Sequence, residues 1–210
     1  MVENETMTVS RAGRIGELVL PEPALALVLL VDARAPRRVA PRERQVAAVL
    51  QTHRIATLRS DALGGTPGAT RAAVGPGERI DEMLDWAAAR ADLAALRVGI
   101  LATGAAAAAA LRVAARRPGH VAALVARGGE PDLASKALSL VQAATLLIVG
   151  GSDLELHELN RALLAQLTCN RRLEVVPGAS RGFKEPGALD TVAHLACAWF
   201  ETHLANSGSR

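Results

Sequence analysis

The sequence has very few aromatic residues, and this shortage argues against one class of function. Its 210 residues include two tryptophans, two phenylalanines and no tyrosine. Proteins that bind single-stranded nucleic acid stack the bases on aromatic side chains, so we expect no specific nucleic-acid binding. Half of the residues are nevertheless hydrophobic and the net charge is only +3, which predicts a folded chain with an aliphatic core.

Cysteines and long hydrophobic segments are also scarce. The two cysteines, Cys169 and Cys197, lack the spacing of a metal-binding motif or a disulfide framework, so we predict no metal and no other cofactor. The first residues are polar and acidic, unlike a secretory leader, and the uncharged run 98–111 is too short to cross a bilayer. These features predict a cytoplasmic protein with no membrane partner.

Hydrophobic runs alternate with helical patterns along the chain, and this alternation predicts the fold class. The predicted strands are Glu17–Leu20, Leu25–Asp32, Ile55–Leu58, Val98–Leu101, Val121–Val125, Thr145–Val149 and Arg172–Val176. The predicted helices are Pro41–Thr52, Glu78–Ala91, Ala105–Arg116, Leu133–Leu140, Glu158–Leu167 and Gly187–Leu204. Such an order is typical of an α/β protein with a mostly parallel, doubly wound sheet and helices on both faces. We assign residues 13–205 to a single domain, with flexible ends at 1–12 and 206–210.

Three segments, taken in order, resemble a known family. They begin RVGILATGAAAAAALRV, TLLIVGGSDLELHELN and RLEVVPGASRGFKEPG. Together they resemble the dienelactone-hydrolase-like branch of the α/β-hydrolases, and the resemblance extends from about Glu17 to Leu204. It implies an α/β-hydrolase fold in which a serine, an acid and a histidine lie on loops at the carboxyl ends of the strands.

The residues at those three positions differ from a working triad. The serine of the family's G-x-S-x-G turn corresponds to Gly104, in the run Ala102-Thr103-Gly104-Ala105-Ala106. Asp153 matches the acid, and Arg181 stands where the family has its histidine. Because arginine stays protonated at physiological pH, it cannot accept the proton of a serine.

The loop that would stabilise an oxyanion is altered as well. Relatives of this kind carry a glycine-rich segment there, whereas this chain has Asp32-Ala33-Arg34-Ala35-Pro36. Proline removes an N–H donor, and Asp32 places a carboxylate beside the developing negative charge. Since triad members act as a unit, these changes together predict that serine hydrolysis is lost.

A residual hydrolase that uses other residues is the alternative interpretation. Thr103, Ser152 and Ser180 are the hydroxyls that could serve as nucleophile in an esterase or lactonase. His157, a few residues after Asp153, is the one histidine expected near the site. Turn formation is an adequate explanation for the three hydroxyls.

Arginines concentrate in the loops where the resemblance places the pocket. The candidate ligand-binding residues are Arg34, Arg37, Arg38, Thr103, Gly104 and Arg181, and the arginine-rich stretch continues to Arg42 and Arg44. Guanidinium groups and a helix N-terminus at Gly104 could bind a small anionic ligand. The alternative is that these arginines form a solvated charged face.

A binding, regulatory or partner role is the second expectation. The apolar face of the last predicted helix could contact a protein partner or a second copy of the chain, or it could pack on its own sheet. This face comprises Leu189, Val192, Ala193, Ala196, Cys197 and Phe200. The resemblance also points to one kind of partner, because relatives of this group occur beside phosphoribosyltransferase domains.

Overall fold

A computed structural model of the chain describes residues 4–11, 14–32, 36–60, 75–130 and 138–204. Its strands are β1 Asn4–Arg11, β2 Arg14–Pro21, β3 Ala26–Asp32, β4 Ile55–Ser60, β5 Val98–Thr103, β6 Ala123–Arg127, β7 Ala144–Gly150 and β8 Arg171–Val176. Its helices are α1 Pro36–Thr52, α2 Pro76–Ala88, α3 Ala105–Arg116, α4 Leu154–Gln166 and α5 Ala188–Leu204.

All of these strands belong to one eight-stranded sheet in the order β1-β2-β4-β3-β5-β6-β7-β8. The six strands from β4 to β8 in this order are parallel to one another. Only β2 runs against its neighbours, β1 and β4. The predicted α/β fold with a mostly parallel sheet is therefore confirmed.

The central strands are buried because helices cover both faces of the sheet. Almost every residue of β3, β5, β6 and β7 is buried, which explains why these strands are continuous hydrophobic runs in the sequence. One core contains residues of α2, α3 and α4, such as Ile80, Leu111 and Leu163. The other contains residues of α1 and α5, such as Leu50 and Phe200.

Part of the segment 1–12, which we expected to be flexible, is a strand in the structure. Asn4–Arg11 forms β1, and its residues pair in antiparallel register with Arg14–Pro21. The segment is mostly polar and carries no hydrophobic run, so hydrophobic periodicity alone could not reveal a strand. Its β-branched residues Thr6, Thr8 and Val9 favour extended backbone, and pairing with β2 supplies the hydrogen bonds.

Several helix boundaries differ from the prediction. The helix α1 begins at Pro36 rather than Pro41, and α4 begins at Leu154 rather than Glu158. The Asp153 side chain accepts a hydrogen bond from the Leu156 N–H and so caps α4 one turn earlier than the hydrophobic pattern indicated. Most of the predicted helix Leu133–Leu140 lies outside the described residues, and residues 138–140 form a single 3₁₀ turn.

Within the described ranges, every helix is too short or too polar to span a membrane. The longest of them, α1 and α5, have 17 residues each.

Candidate functional site

A cavity of about 410 Å³ opens at the carboxyl ends of the central strands. Asp32, Thr103 and Arg127 end β3, β5 and β6, lie beside one another in register and line this cavity. The loop after β8 closes another side through residues 180–182 and Lys184. Ligands of open parallel sheets bind at this edge, so the sheet itself determines where the site lies.

Gly104 forms the sharp turn between β5 and α3. Its dihedral angles are φ 58° and ψ −130°, a conformation that costs an ordinary L-residue about 1–3 kcal/mol. Its N–H donates to the Arg127 carbonyl oxygen at 3.1 Å, and its carbonyl oxygen accepts from the Ala107 N–H at 3.0 Å. A Cβ atom at this position would have no atom within 4 Å. The strand–turn–helix geometry of a nucleophile elbow is therefore present. The position has room for a side chain, but glycine supplies none.

Thr103 precedes the turn, and the surroundings of its hydroxyl do not favour a role as nucleophile. Its side chain is buried, and the residue is only 4% exposed. Among the described residues, no hydrogen-bond partner reaches its Oγ1 atom. A threonine nucleophile needs a base within hydrogen-bond distance, and the described structure supplies none at this hydroxyl.

Asp153 and Arg181 form a bidentate ion pair. The Arg181 Nε atom lies 2.6 Å from Oδ2 of Asp153, and Nη2 lies 3.4 Å from Oδ1. Hydrogen bonding from Arg181 holds the pKa of Asp153 below its usual value despite some desolvation, and the Leu156 N–H contributes in the same direction. Hydrogen bonding to Asp153 in turn raises the pKa of Arg181. The residue at the base position is thus fixed in its protonated form.

The loops after β7 and β8 touch each other and so place Arg181 beside Asp153. The Ser152 N–H donates to the Ala179 carbonyl oxygen at 2.9 Å. A Cβ atom at Gly150 would lie 2.4 Å from that same carbonyl oxygen, so only glycine permits the approach. From the other side, Arg42 of α1 donates to the carbonyl oxygens of Gly182 and Phe183.

A buried ion pair beside the cavity was missed by sequence reasoning. Arg127, at the end of β6, and Glu43, on α1, are 2% and 6% exposed, and their side chains meet at 2.6 Å. In the described part of the chain, the Nη1 atom of Arg127 has no hydrogen-bond partner. The one available signal was a single arginine at the end of an otherwise apolar strand, ALVAR.

The arginine-rich stretch after β3 is only partly arranged around the cavity. Arg34 lies outside the described residues. Arg37 and Arg38 lie in the first turn of α1, but the structure describes only their backbone. Arg42 binds loop carbonyl groups, and Arg44 lies 3.8 Å from Glu17. Among the described residues, two arginines line the cavity: Arg127, which was not predicted, and Arg181, which was.

The other candidate nucleophiles are also placed. Ser152 is exposed and does not line the cavity, whereas Ser180 does. Hydrogen bonding from Ser180 lowers the pKa of Glu185, which makes that carboxylate a weak base for the Ser180 hydroxyl. His157 lies on α4, where its Nδ1 atom is 4.0 Å from Glu158, and it is not among the residues that line the cavity.

The apolar face of α5 is covered by the chain itself. The six residues suggested as a partner surface are all buried in the core formed with α1 and the sheet. They therefore provide no docking surface for another chain.

Solved structures and curated sequences relate the chain to known proteins. No protein-family model matches it. The crystal structure of dienelactone hydrolase from Anabaena variabilis is 38% identical, with a TM-score of 0.87 over 97% of this chain and 99% of that chain. Est1E from Butyrivibrio proteoclasticus is 13% identical, covers 96% of this chain and 99% of that chain with a TM-score of 0.76, and shares the fold.

Curated relatives come from two strains of Mycobacterium tuberculosis. Both are named provisionally as phosphoribosyl transferases and are 41% identical over 197 residues. The match includes 92% of this chain but only 44% of each relative, so the chain spans less than half of their length. The elbow geometry, the strand order and the full-length match to the Anabaena enzyme agree, and the chain belongs to the dienelactone-hydrolase-like branch of the α/β-hydrolase family.

Proposed function

We propose that this chain is a non-hydrolytic member of its family, a partner domain whose pocket binds a phosphorylated sugar. The observation that carries the loss of hydrolysis is the pairing of an empty elbow at Gly104 with an arginine, Arg181, bound to the acid Asp153. Removing a single serine or histidine from a hydrolytic triad lowers kcat by about a millionfold. Here the serine and the histidine are both replaced.

The charges around the cavity support a ligand that has both a phosphate and hydroxyl groups. Arg127, Arg181 and Lys184 line it, and α3 begins beside it, an arrangement that favours an anion. Asp32 and Glu130 line it as well and oppose a second negative charge. Carboxylates accept hydrogen bonds from hydroxyl groups, so a sugar phosphate satisfies both sets of residues.

The curated relatives support the same class of ligand and suggest the partner. They are more than twice as long as the matched segment, and their name refers to transfer of a phosphoribosyl group. We infer that this chain works beside a phosphoribosyl transferase unit. Mixing the purified chain with the unmatched part of the Mycobacterium tuberculosis relative and sedimenting the mixture tests this pairing. Independent sedimentation of the two components would contradict it.

Ester hydrolysis tests the loss of catalysis. We expect the purified chain to hydrolyse p-nitrophenyl acetate and dienelactone no faster than buffer does. Thr103→Ala and Ser180→Ala serve as controls, because among the described residues these two carry the hydroxyls that line the cavity. Turnover by the parent chain that either substitution abolishes would show a hydrolase with an unusual nucleophile and would overturn the proposal.

Thermal unfolding in the presence of ribose 5-phosphate tests the ligand. We expect a rise in Tm that ribose alone does not produce, and a smaller rise for Lys184→Gln and Arg181→Gln. Arg161→Gln is the matched control, since Arg161 is exposed on α4 and pairs with Glu158 away from the cavity. An equal response of all three variants would show that the cavity does not bind the phosphate.

A further inference from the structure

A group of side chains that can bind a metal ion lies near the amino end of β4, away from the cavity at the carboxyl ends of the strands. His53 follows the last residue of α1, just before β4 begins at Ile55. Cys197 and Glu201 lie four residues apart on α5, so they share one face of that helix. Because the cavity is at the carboxyl ends of the strands and β4 begins beside His53, the two places lie at opposite ends of the sheet.

The three side chains converge although they are distant in the sequence. The Nδ1 atom of His53 lies 2.8 Å from Oε1 of Glu201, a residue 148 positions away. The ligand atoms of His53, Cys197 and Glu201 all lie within 4.8 Å of one another. Two ligands of a tetrahedral zinc ion are separated by about 3.3–3.6 Å, given bond lengths of about 2.0–2.3 Å. Small side-chain rotations therefore suffice to place an ion among the three atoms.

We propose that His53, Cys197 and Glu201 bind a zinc ion that connects the end of α1 to α5, with solvent as the fourth ligand. One nitrogen, one sulfur and one oxygen form a donor set that suits Zn²⁺ better than Mg²⁺ or Ca²⁺, which prefer oxygen alone. A thiolate and a carboxylate would balance the two positive charges of the ion. The resulting neutral cluster is compatible with the burial of Cys197, which is 2% exposed.

Metal binding would also change the state of the cysteine. Burial, together with the negative charge of Glu201, raises the pKa of the Cys197 thiol to about 12, so this thiol is protonated near neutral pH. On binding, the Zn–S bond replaces the S–H bond, and the proton passes to solvent. No sequence pattern indicates such a site, because neither cysteine lies within a motif of metal-ligand spacing.

Titration of the metal-free full chain with Zn²⁺ and Co²⁺ tests the proposal. We expect about one ion per chain, a rise in Tm with added zinc, and a thiolate-to-cobalt charge-transfer absorption in the near ultraviolet. His53→Gln and Glu201→Gln should each weaken binding at least about tenfold. Both side chains are roughly half exposed, so these substitutions should leave the chain folded.

The two cysteines provide a matched comparison for the ligand itself. Cys197→Ser should abolish the charge-transfer absorption, whereas Cys169→Ser should retain it, because Cys169 lies outside the cluster. If Cys197→Ser does not fold, the two exposed variants still decide the question. Absence of stoichiometric zinc, or binding that His53→Gln and Glu201→Gln leave unchanged, would show only an interhelical ion pair beside a buried thiol.

Discussion

Arg127 and Arg181 line the cavity and each pairs with a carboxylate, and the two pairs differ chiefly in burial. In both pairs the closest nitrogen and oxygen atoms are 2.6 Å apart. The Arg127–Glu43 side chains are only 3% and 7% exposed, whereas those of Arg181 and Asp153 are 50% and 14% exposed. The same closest distance therefore accompanies very different surroundings, and the surroundings determine what each pair contributes to stability.

The difference in burial predicts that the two pairs contribute differently to the stability of the fold. Removing one partner of a buried pair leaves an uncompensated charge in the interior, whereas an exposed pair is screened by water and contributes little. Arg127–Glu43 joins β6 to α1 and so supports the cavity wall. Arg181–Asp153 lies where the resemblance places the base and the acid, and because Arg181 is half exposed the pair contributes little to stability.

Glu43→Gln should have the largest effect on stability. The substitution keeps the shape of the side chain but removes the carboxylate that pairs with the buried Arg127 guanidinium. We expect the free energy of unfolding, measured with urea, to fall by about 3–5 kcal/mol. Glu158→Gln is the matched control, because Glu158 pairs with Arg161 at the surface, and it should cost less than about 1 kcal/mol.

The double variant Glu43→Leu/Arg127→Met separates charge from packing in the same comparison. Replacing both members of a buried ion pair by apolar residues is often close to neutral, so most of the lost stability should return. Failure to recover would mean that the pair has a packing role that its charges do not explain. A loss below about 1 kcal/mol for Glu43→Gln alone would make the two pairs energetically equivalent.

Gly150→Ala should have an intermediate effect. The new Cβ atom would lie 2.4 Å from the Ala179 carbonyl oxygen and 2.5 Å from that of Ser180, so the loop carrying Arg181 must move. Crowding of this kind costs about 1–3 kcal/mol. Gly75→Ala is the control, because φ there is −64° and no atom lies within 4 Å of the new methyl group. Equal urea midpoints for the two variants would show that the loops do not depend on their close contact.

The fold was largely predictable from the sequence because burial leaves a direct signal. Strands β3 and β7 are covered on both faces and are continuous apolar runs, LVLLV and TLLIV. The strand β1 was not predictable, because edge pairing needs no hydrophobic run. Capping also shifted a boundary, since Asp153 begins α4 before the apolar pattern does.

The residues of the candidate site were predictable only where a local sequence motif places them. Gly104, Asp153 and Arg181 could be placed by the resemblance alone, and Asp153 and Arg181 do meet. Arg127 and Glu43 are 84 positions apart, and neither has a local motif, so only the register of β5 with β6 and the packing of α1 reveal their pairing. Arg42 likewise contacts a loop about 140 positions away.

Asp153→Asn should have the smallest effect, and its pH dependence identifies the source. Asparagine also caps helices well, so the substitution removes the charge facing Arg181 while keeping the hydrogen bond to the Leu156 N–H. The free energy of unfolding at neutral pH should fall by about 1 kcal/mol or less, because Arg181 is half exposed. High salt should reduce the difference further.

The sign of the pH dependence follows from the lowered pKa of Asp153 in the folded chain. The ionised carboxylate stabilises the fold above the ordinary pKa of aspartate, and this contribution disappears as the pH falls through the lowered value. Urea unfolding from neutral pH down to about pH 2 should therefore show the parent and Asp153→Asn converging in stability at the acidic end. A gap that stays constant over the whole range would assign the loss to the helix cap and would leave the exposed pair with no electrostatic contribution.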